Sequence, residues 1–139
     1  GTAEMNLFAY GSLMFEEVWS QLVCRDYLRR AARLHGFTRR RARGDVYPVI
    51  FRSHAADWVD GVVYLDVGDD DLRRLDAFEA APYDRQTHVV VIEGTEKHHA
   101  DAYVLKESFH HMVSDHSWDP QWFADEALPI FMTRYKGFR

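Results

Sequence analysis

The stretch Trp58-Val59-Asp60-Gly61-Val62-Val63-Tyr64-Leu65-Asp66-Val67-Gly68-Asp69-Asp70-Asp71-Leu72-Arg73-Arg74-Leu75-Asp76-Ala77-Phe78-Glu79 changes character at Gly68. Up to Val67 it alternates and is rich in β-branched and aromatic residues, which predicts a strand, with Gly61 a bulge or a point of close approach. From Gly68 onward three aspartates complement a helix N-terminus, and Leu72, Leu75 and Phe78 recur at helical spacing. Pro82 prevents that helix from continuing. Tyr83 to Glu93 then contains His88-Val89-Val90-Val91-Ile92, a strong strand signal from its β-branched Val89 to Ile92. Gly94-Thr95-Glu96-Lys97 reads as a hairpin turn, and Ala100 to Leu105 as the returning strand.

Working outward, Asn6 to Tyr10 is a short apolar run stopped by Gly11-Ser12, as expected of a buried strand entering a loop. Phe15, Val18, Trp19, Leu22 and Val23 place one face of a helix over Phe15 to Cys24. Tyr27 to Ala42 is ambiguous, read as a strand over the alternative of a helical first half, and Asp45 to Phe51 reads as another strand, which Pro48 confines to an edge or bulge. Asp119-Pro120 starts a last helix, Pro129 interrupts its pattern, and Gly137 closes it. Five or six strands cluster in the middle of three or four short helices. The expected class is α+β, a small mixed β-barrel flanked by short helices.

Composition narrows the function. The chain has 139 residues, 47% of them hydrophobic, and fits a single domain over 1–139. One cysteine excludes an internal disulfide framework and every multi-cysteine zinc pattern. No apolar run reaches the roughly 18 residues of a membrane span. The first residues lack a signal peptide's basic flank and apolar stretch, so the expected location is cytoplasmic. Lysine and arginine number 17 against 22 acids, a net charge of −5 that argues against a nucleic-acid partner. Eight of the 14 arginines nevertheless fall between Arg25 and Arg43. Their bland reading is a solvated sheet edge protected from pairing by charge.

Two segments carry candidate chemistry. Phe8-Ala9-Tyr10-Gly11-Ser12-Leu13-Met14 is a strand-to-loop turn of the kind that exposes backbone amides. In Leu75 to Arg85, Glu79 ends a helix among Phe78, Ala80, Ala81 and Pro82, with only Arg85 as a local countercharge. A carboxylate so placed has a raised pKa and exchanges protons near neutrality. Its bland alternative is a surface acid at a helix end. Ser12 lacks a nucleophile elbow and reads as a loop hydroxyl. Cys24, on the apolar helix face, reads as core. His98, His99, His110, His111, Asp115 and His116 hold competent metal ligands but no spaced metal signature, so no metal is assigned and the cluster reads as solvated. Trp118, Trp122 and Phe123 read as core, with Trp122 a candidate wall for a leaving-group pocket.

Taken together, Tyr10-Gly11-Ser12-Leu13 and Leu75-Asp76-Ala77-Phe78-Glu79-Ala80-Ala81-Pro82-Tyr83-Asp84-Arg85 resemble the signature of the gamma-glutamylcyclotransferase-like superfamily. Tyr47-Pro48 and Val59-Asp60-Gly61-Val62-Val63-Tyr64, between them, resemble two of its strands, so the likeness spans residues 6 to 105. The resemblance implies release of 5-oxoproline and a free amine from a small-molecule gamma-glutamyl substrate, with no cofactor and no membrane partner. It implies Glu79 as catalytic acid and base, and Tyr10, Gly11, Ser12 and Leu13 as substrate-binding; Tyr83 is a further candidate from its nearness in sequence. The alternative is a catalytically silent ligand-binding protein on the same fold. Where the family has glycine after the glutamate this chain has Ala80. A positive φ there would cost alanine on the order of 1 kcal/mol.

Overall fold

A computed structural model describes residues 5–134. Strand β1 (Met5–Ala9) leads through a 3-10 turn (Ser12–Met14) into helix α1 (Glu16–Leu22). Strands β2 (Arg29–His35), β3 (Phe37–Arg41), β4 (Pro48–Arg52) and β5 (Trp58–Val67) precede helix α2 (Asp69–Glu79). The hairpin β6 (Tyr83–Ile92) and β7 (Glu96–Leu105) follows. After a 3-10 segment (Glu107–Met112), α3 (Pro120–Trp122) runs through a π turn (Phe123–Ala127) into α4 (Leu128–Arg134).

Five strands close a barrel in the order β1-β5-β2-β6-β7, while β3 and β4 form a separate two-stranded sheet. All barrel pairings are antiparallel except β1 with β7, which touch in parallel at Leu7 and Asp101. This is the expected α+β mixed barrel with short helices. Each barrel strand sends alternate residues inward: Phe8 from β1, Val59 and Val63 from β5, Ala32 and Leu34 from β2, Val90 and Ile92 from β6, and Ala100, Ala102 and Val104 from β7. The opposite faces of β1 and β5 bury Leu7, Ala9, Tyr64 and Val67 against α1, α2 and α4 through Val18, Trp19, Leu72, Leu75 and Phe131. Only the second half of β1, Leu7-Phe8-Ala9, is buried on both faces, and there the sequence is continuously apolar.

Several expectations change. The stretch 27–42 is two strands, because Gly36 turns the chain with φ +84° between β2 and β3. Strand β4 starts at Pro48, paired with Arg41, where a missing N–H is tolerated; Asp45 to Tyr47 form the turn before it. The arginines of β2 do not guard an edge, since β2 lies between β5 and β6; Arg39, Arg40 and Arg41 are on β3, in the two-stranded sheet. Arginines of the stretch act as clasps: Arg30 pairs with Glu93 and Glu96, Arg33 with Asp60, and Arg43 donates to the carbonyls of His111 and Val113. Cys24 is exposed rather than core. Helix α1 ends at Leu22, Val23 is extended, and the Cys24 amide is drawn to the buried carboxylate of Asp71 at 2.9 Å. Pro129 does not interrupt the last helix. It sits in its first α4 turn, after a π turn that widens the backbone where a proline cannot supply its hydrogen bond. Gly137 lies outside the described residues.

Candidate active site

Glu79 is the last residue of α2, and the chain reverses directly after it. Ala80 adopts φ +50° and ψ −157°, its amide bonds back to the Asp76 carbonyl, and the Ala81–Pro82 peptide is cis. That reversal turns α2 into β6 and leaves Glu79 lining a cavity of about 220 Å³. The loop Tyr10 to Leu13 at the end of β1 lines the same cavity. Gly11 is required there by space, because a Cβ would stand 2.6 Å from the ring of Pro48. Met14 and Phe15 amides close the loop onto the carbonyls of Gly11 and Ser12, at 2.9 and 3.1 Å. The amides of Gly11, Ser12 and Leu13 have no acceptor among the described residues.

Among the described residues Glu79 has no ion-pair partner, and burial pushes its carboxyl up to about 8. The sequence expectation of Arg85 as its countercharge is corrected. Arg85 is consumed by two aspartates, donating from Nε and Nη2 to Asp76 at 2.8 and 3.2 Å and from Nη1 to Asp101 at 2.5 Å. Thr87 donates to the other oxygen of Asp101, and the Tyr103 hydroxyl to Asp76 at 2.7 Å. Phenols complete the walls. Tyr10 donates to the Tyr103 carbonyl and Tyr83 to the Pro48 carbonyl at 2.9 Å. Burial, reinforced by the Glu79 charge, holds both hydroxyls well above the ordinary tyrosine range, so both stay protonated donors.

The six residues singled out from sequence, Tyr10, Gly11, Ser12, Leu13, Glu79 and Tyr83, therefore line one cavity. Sequence reasoning missed Tyr47, Pro48, Phe78, Tyr103 and Phe131 as its other walls. Trp122 is not among them; it lies under the Arg41 guanidinium, 4.2 Å from the ring centre. The signal that would have found Phe131 is the four-residue spacing Phe123, Ala127, Phe131, all buried on one face of the last helix. Among the described residues no group of three or more histidine, cysteine, aspartate or glutamate side chains could hold a metal, and no helix is long and apolar enough to cross a membrane.

The family model described as gamma-glutamyl cyclotransferase, AIG2-like, matches residues 7–120, which includes the Tyr10 to Leu13 loop and Glu79. The chain belongs to this family. AIG2-like protein C of Arabidopsis thaliana is 40% identical across 99% of this chain and 80% of its own length. The solution structure of another Arabidopsis thaliana protein superposes with a TM-score of 0.74 at 27% identity, covering 98% of this chain and 82% of that one. A solved structure named gamma-glutamyl cyclotransferase matches with a TM-score of 0.65 over 75% of this chain and 68% of its own, at 20% identity, and so shares the family fold.

Proposed function

We propose that the protein cyclises the gamma-glutamyl group of a small-molecule substrate, releasing 5-oxoproline and a free amine or amino acid. The observation that carries this reading is a carboxylate with no ion-pair partner among the described residues, which shares a small cavity with a loop whose Gly11, Ser12 and Leu13 amides have no acceptor among them. In the reaction the substrate's own α-amine attacks its γ-carbonyl, so no nucleophilic side chain or cofactor is needed. Folding the glutamyl chain into a near-attack geometry exploits effective molarities on the order of 10⁵ M or more. The Gly11, Ser12 and Leu13 amides receive the anionic end of the substrate, as preorganised donors do. Glu79, as carboxylate, takes a proton from the α-amine as the C–N bond to the ring forms. It returns that proton to the departing nitrogen as the old amide bond breaks. A carboxyl near 8 suits both halves at neutral pH, since each form is accessible. Tyr83, held by Pro48, orients whatever fills the cavity.

Release of 5-oxoproline from a panel of gamma-glutamyl amino acids and gamma-glutamyl amines tests the reading. Turnover of at least one class is expected, and the panel ranking identifies the amine. Binding of gamma-glutamyl compounds with no 5-oxoproline from any of them would make the protein a silent binder on this fold.

A further inference from the structure

The arginine-rich stretch has one feature that barrel stability does not account for. Two of its members, with one tyrosine of β5, hold the carbonyls of the cavity loop from behind. Arg39 on β3 donates from Nη1 to the carbonyl of Tyr10 at 2.8 Å and to that of Asp60 at 3.0 Å. The Tyr64 hydroxyl donates to the carbonyl of Leu13 at 2.7 Å. Arg29 on β2 donates from Nη1 to the carbonyl of Met14 at 2.9 Å and to the Tyr64 oxygen at 3.1 Å. The remaining two carbonyls, of Gly11 and Ser12, are closed by the loop's own amides. Every carbonyl from Tyr10 to Met14 is thus occupied, and the amides of Gly11, Ser12 and Leu13 are left without an acceptor among the described residues.

The holders are themselves fixed. Tyr64 is buried and stacks on Trp19 with ring centres 3.6 Å apart and planes within 4°. Arg39 is half-buried, with its guanidinium 5.1 Å from the ring centre of Trp118. Polarisation adds to placement, because a carbonyl that accepts from a cation makes the peptide N–H on its other side a stronger donor. For Arg39 that N–H belongs to Gly11.

We infer that Arg39 and Tyr64, assisted by Arg29, are positioning residues that hold the Tyr10–Met14 loop as a carboxylate-accepting cradle, carbonyls tied outward and amides left for the ligand. This rests on the proposed reaction for its substrate but not for its test, which reads binding alone. The experiment is an amide NMR titration of the full chain with 5-oxoproline, the carboxylate product, in wild type, Arg39→Met, Arg39→Lys, Tyr64→Phe and Glu79→Gln. Shifts centred on Gly11, Ser12 and Leu13 are expected in wild type and Glu79→Gln. Affinity should fall about tenfold in Arg39→Met, as loss of one charge-assisted hydrogen bond implies, and by a similar factor in Tyr64→Phe. Arg39→Lys, which keeps a donor and the charge, should recover most of the loss. A merely structural role would lower melting temperature and leave the shifts of folded protein unaltered.

Wild-type affinity and unaltered loop shifts in Arg39→Met and Tyr64→Phe would overturn the inference, as would 5-oxoproline that perturbs none of the three amides in wild type. The two failures separate cleanly. Binding that depends on Arg39 in a protein that turns over no gamma-glutamyl compound sinks the reaction and keeps the cradle. Turnover with KM unchanged in both variants sinks the cradle and keeps the reaction.

Discussion

Asp76 and Glu79 stand one turn apart on α2 and have opposite surroundings. Asp76 takes two bonds from Arg85 and one from the Tyr103 hydroxyl, and Arg85 passes on to Asp101, whose second oxygen takes Thr87. Glu79 has burial in common with this cluster and none of its partners. One arginine serves two aspartates, so the clasp sums to −1 and has no positive charge to lend to the cavity. The comparison teaches why the Asp76 and Arg85 positions accompany Glu79 in one short segment. The clasp ties the end of α2 to β6 and β7, which fixes where Glu79 stands, and it uses up Arg85, while Arg73 and Arg74 on the same helix pair with Asp70 and Asp71. One carboxylate is thereby made structural, and the other has no ion-pair partner among the described residues, as the proposed proton transfer requires.

The hardest test of that contrast removes the unpaired acid. Glu79→Gln keeps shape and polarity but not proton exchange, and 5-oxoproline release should fall on the order of 10³-fold in kcat. Activity within tenfold of wild type would place the chemistry elsewhere. The converse variant is Arg85→Met, which leaves Asp101 buried without its cation. Urea unfolding should show a loss of about 3 kcal/mol. A loss under 1 kcal/mol would mean the clasp does not anchor α2.

A third test uses pH. The Glu79 carboxyl is raised on folding, so the folded chain binds more protons than the unfolded one between the ordinary glutamate value and about 8. Its stability contribution is therefore full at low pH and lost as pH rises through about 8. Glu79→Gln escapes this loss. Its stability relative to wild type should grow by about 2 kcal/mol between pH 5 and pH 9, allowing for partial exposure to the cavity. A pH-independent difference would show that Glu79 has found a partner. The smallest effect concerns the reversal after Glu79. Alanine at φ +50° and ψ −157° occupies a region that glycine alone enters freely. Ala80→Gly should stabilise by about 1 kcal/mol, and an unchanged unfolding midpoint would contradict it.

What the sequence made legible were the elements with strong periodicity. Strand β5 spans Trp58–Val67 as its alternation implied, α2 ends at Glu79 ahead of Pro82, and the β6–β7 hairpin turns where Gly94 stands. Gly61 proved to be a point of close approach, where a side chain would strike the Ala9 carbonyl and the Phe8 ring. The rest depended on partners that local pattern cannot name. Barrel closure rests on β1 meeting β7 in parallel through Leu7 and Asp101, far apart in sequence. The arginine stretch looked like a solvated edge because its acceptors, the Tyr10 and Met14 carbonyls, Asp60, Glu93 and Glu96, are distant along the chain. Cys24 looked like core because helical spacing was extended two residues beyond Leu22, past the point where Asp71 captures the backbone. Within the site, the motif residues were visible, whereas Tyr103 and Phe131 reach the cavity only through tertiary packing.

The most direct test of the account is the pH profile of kcat/KM for 5-oxoproline release by wild-type protein between pH 5 and 9, on the panel's best gamma-glutamyl compound. Because the free enzyme must present Glu79 as carboxylate, the rate should rise with pH, with a midpoint near 8. A limb that is complete by pH 5 or 6 would contradict it, since the carboxylate would then be an ordinary, partnered one and the contrast with Asp76 would vanish.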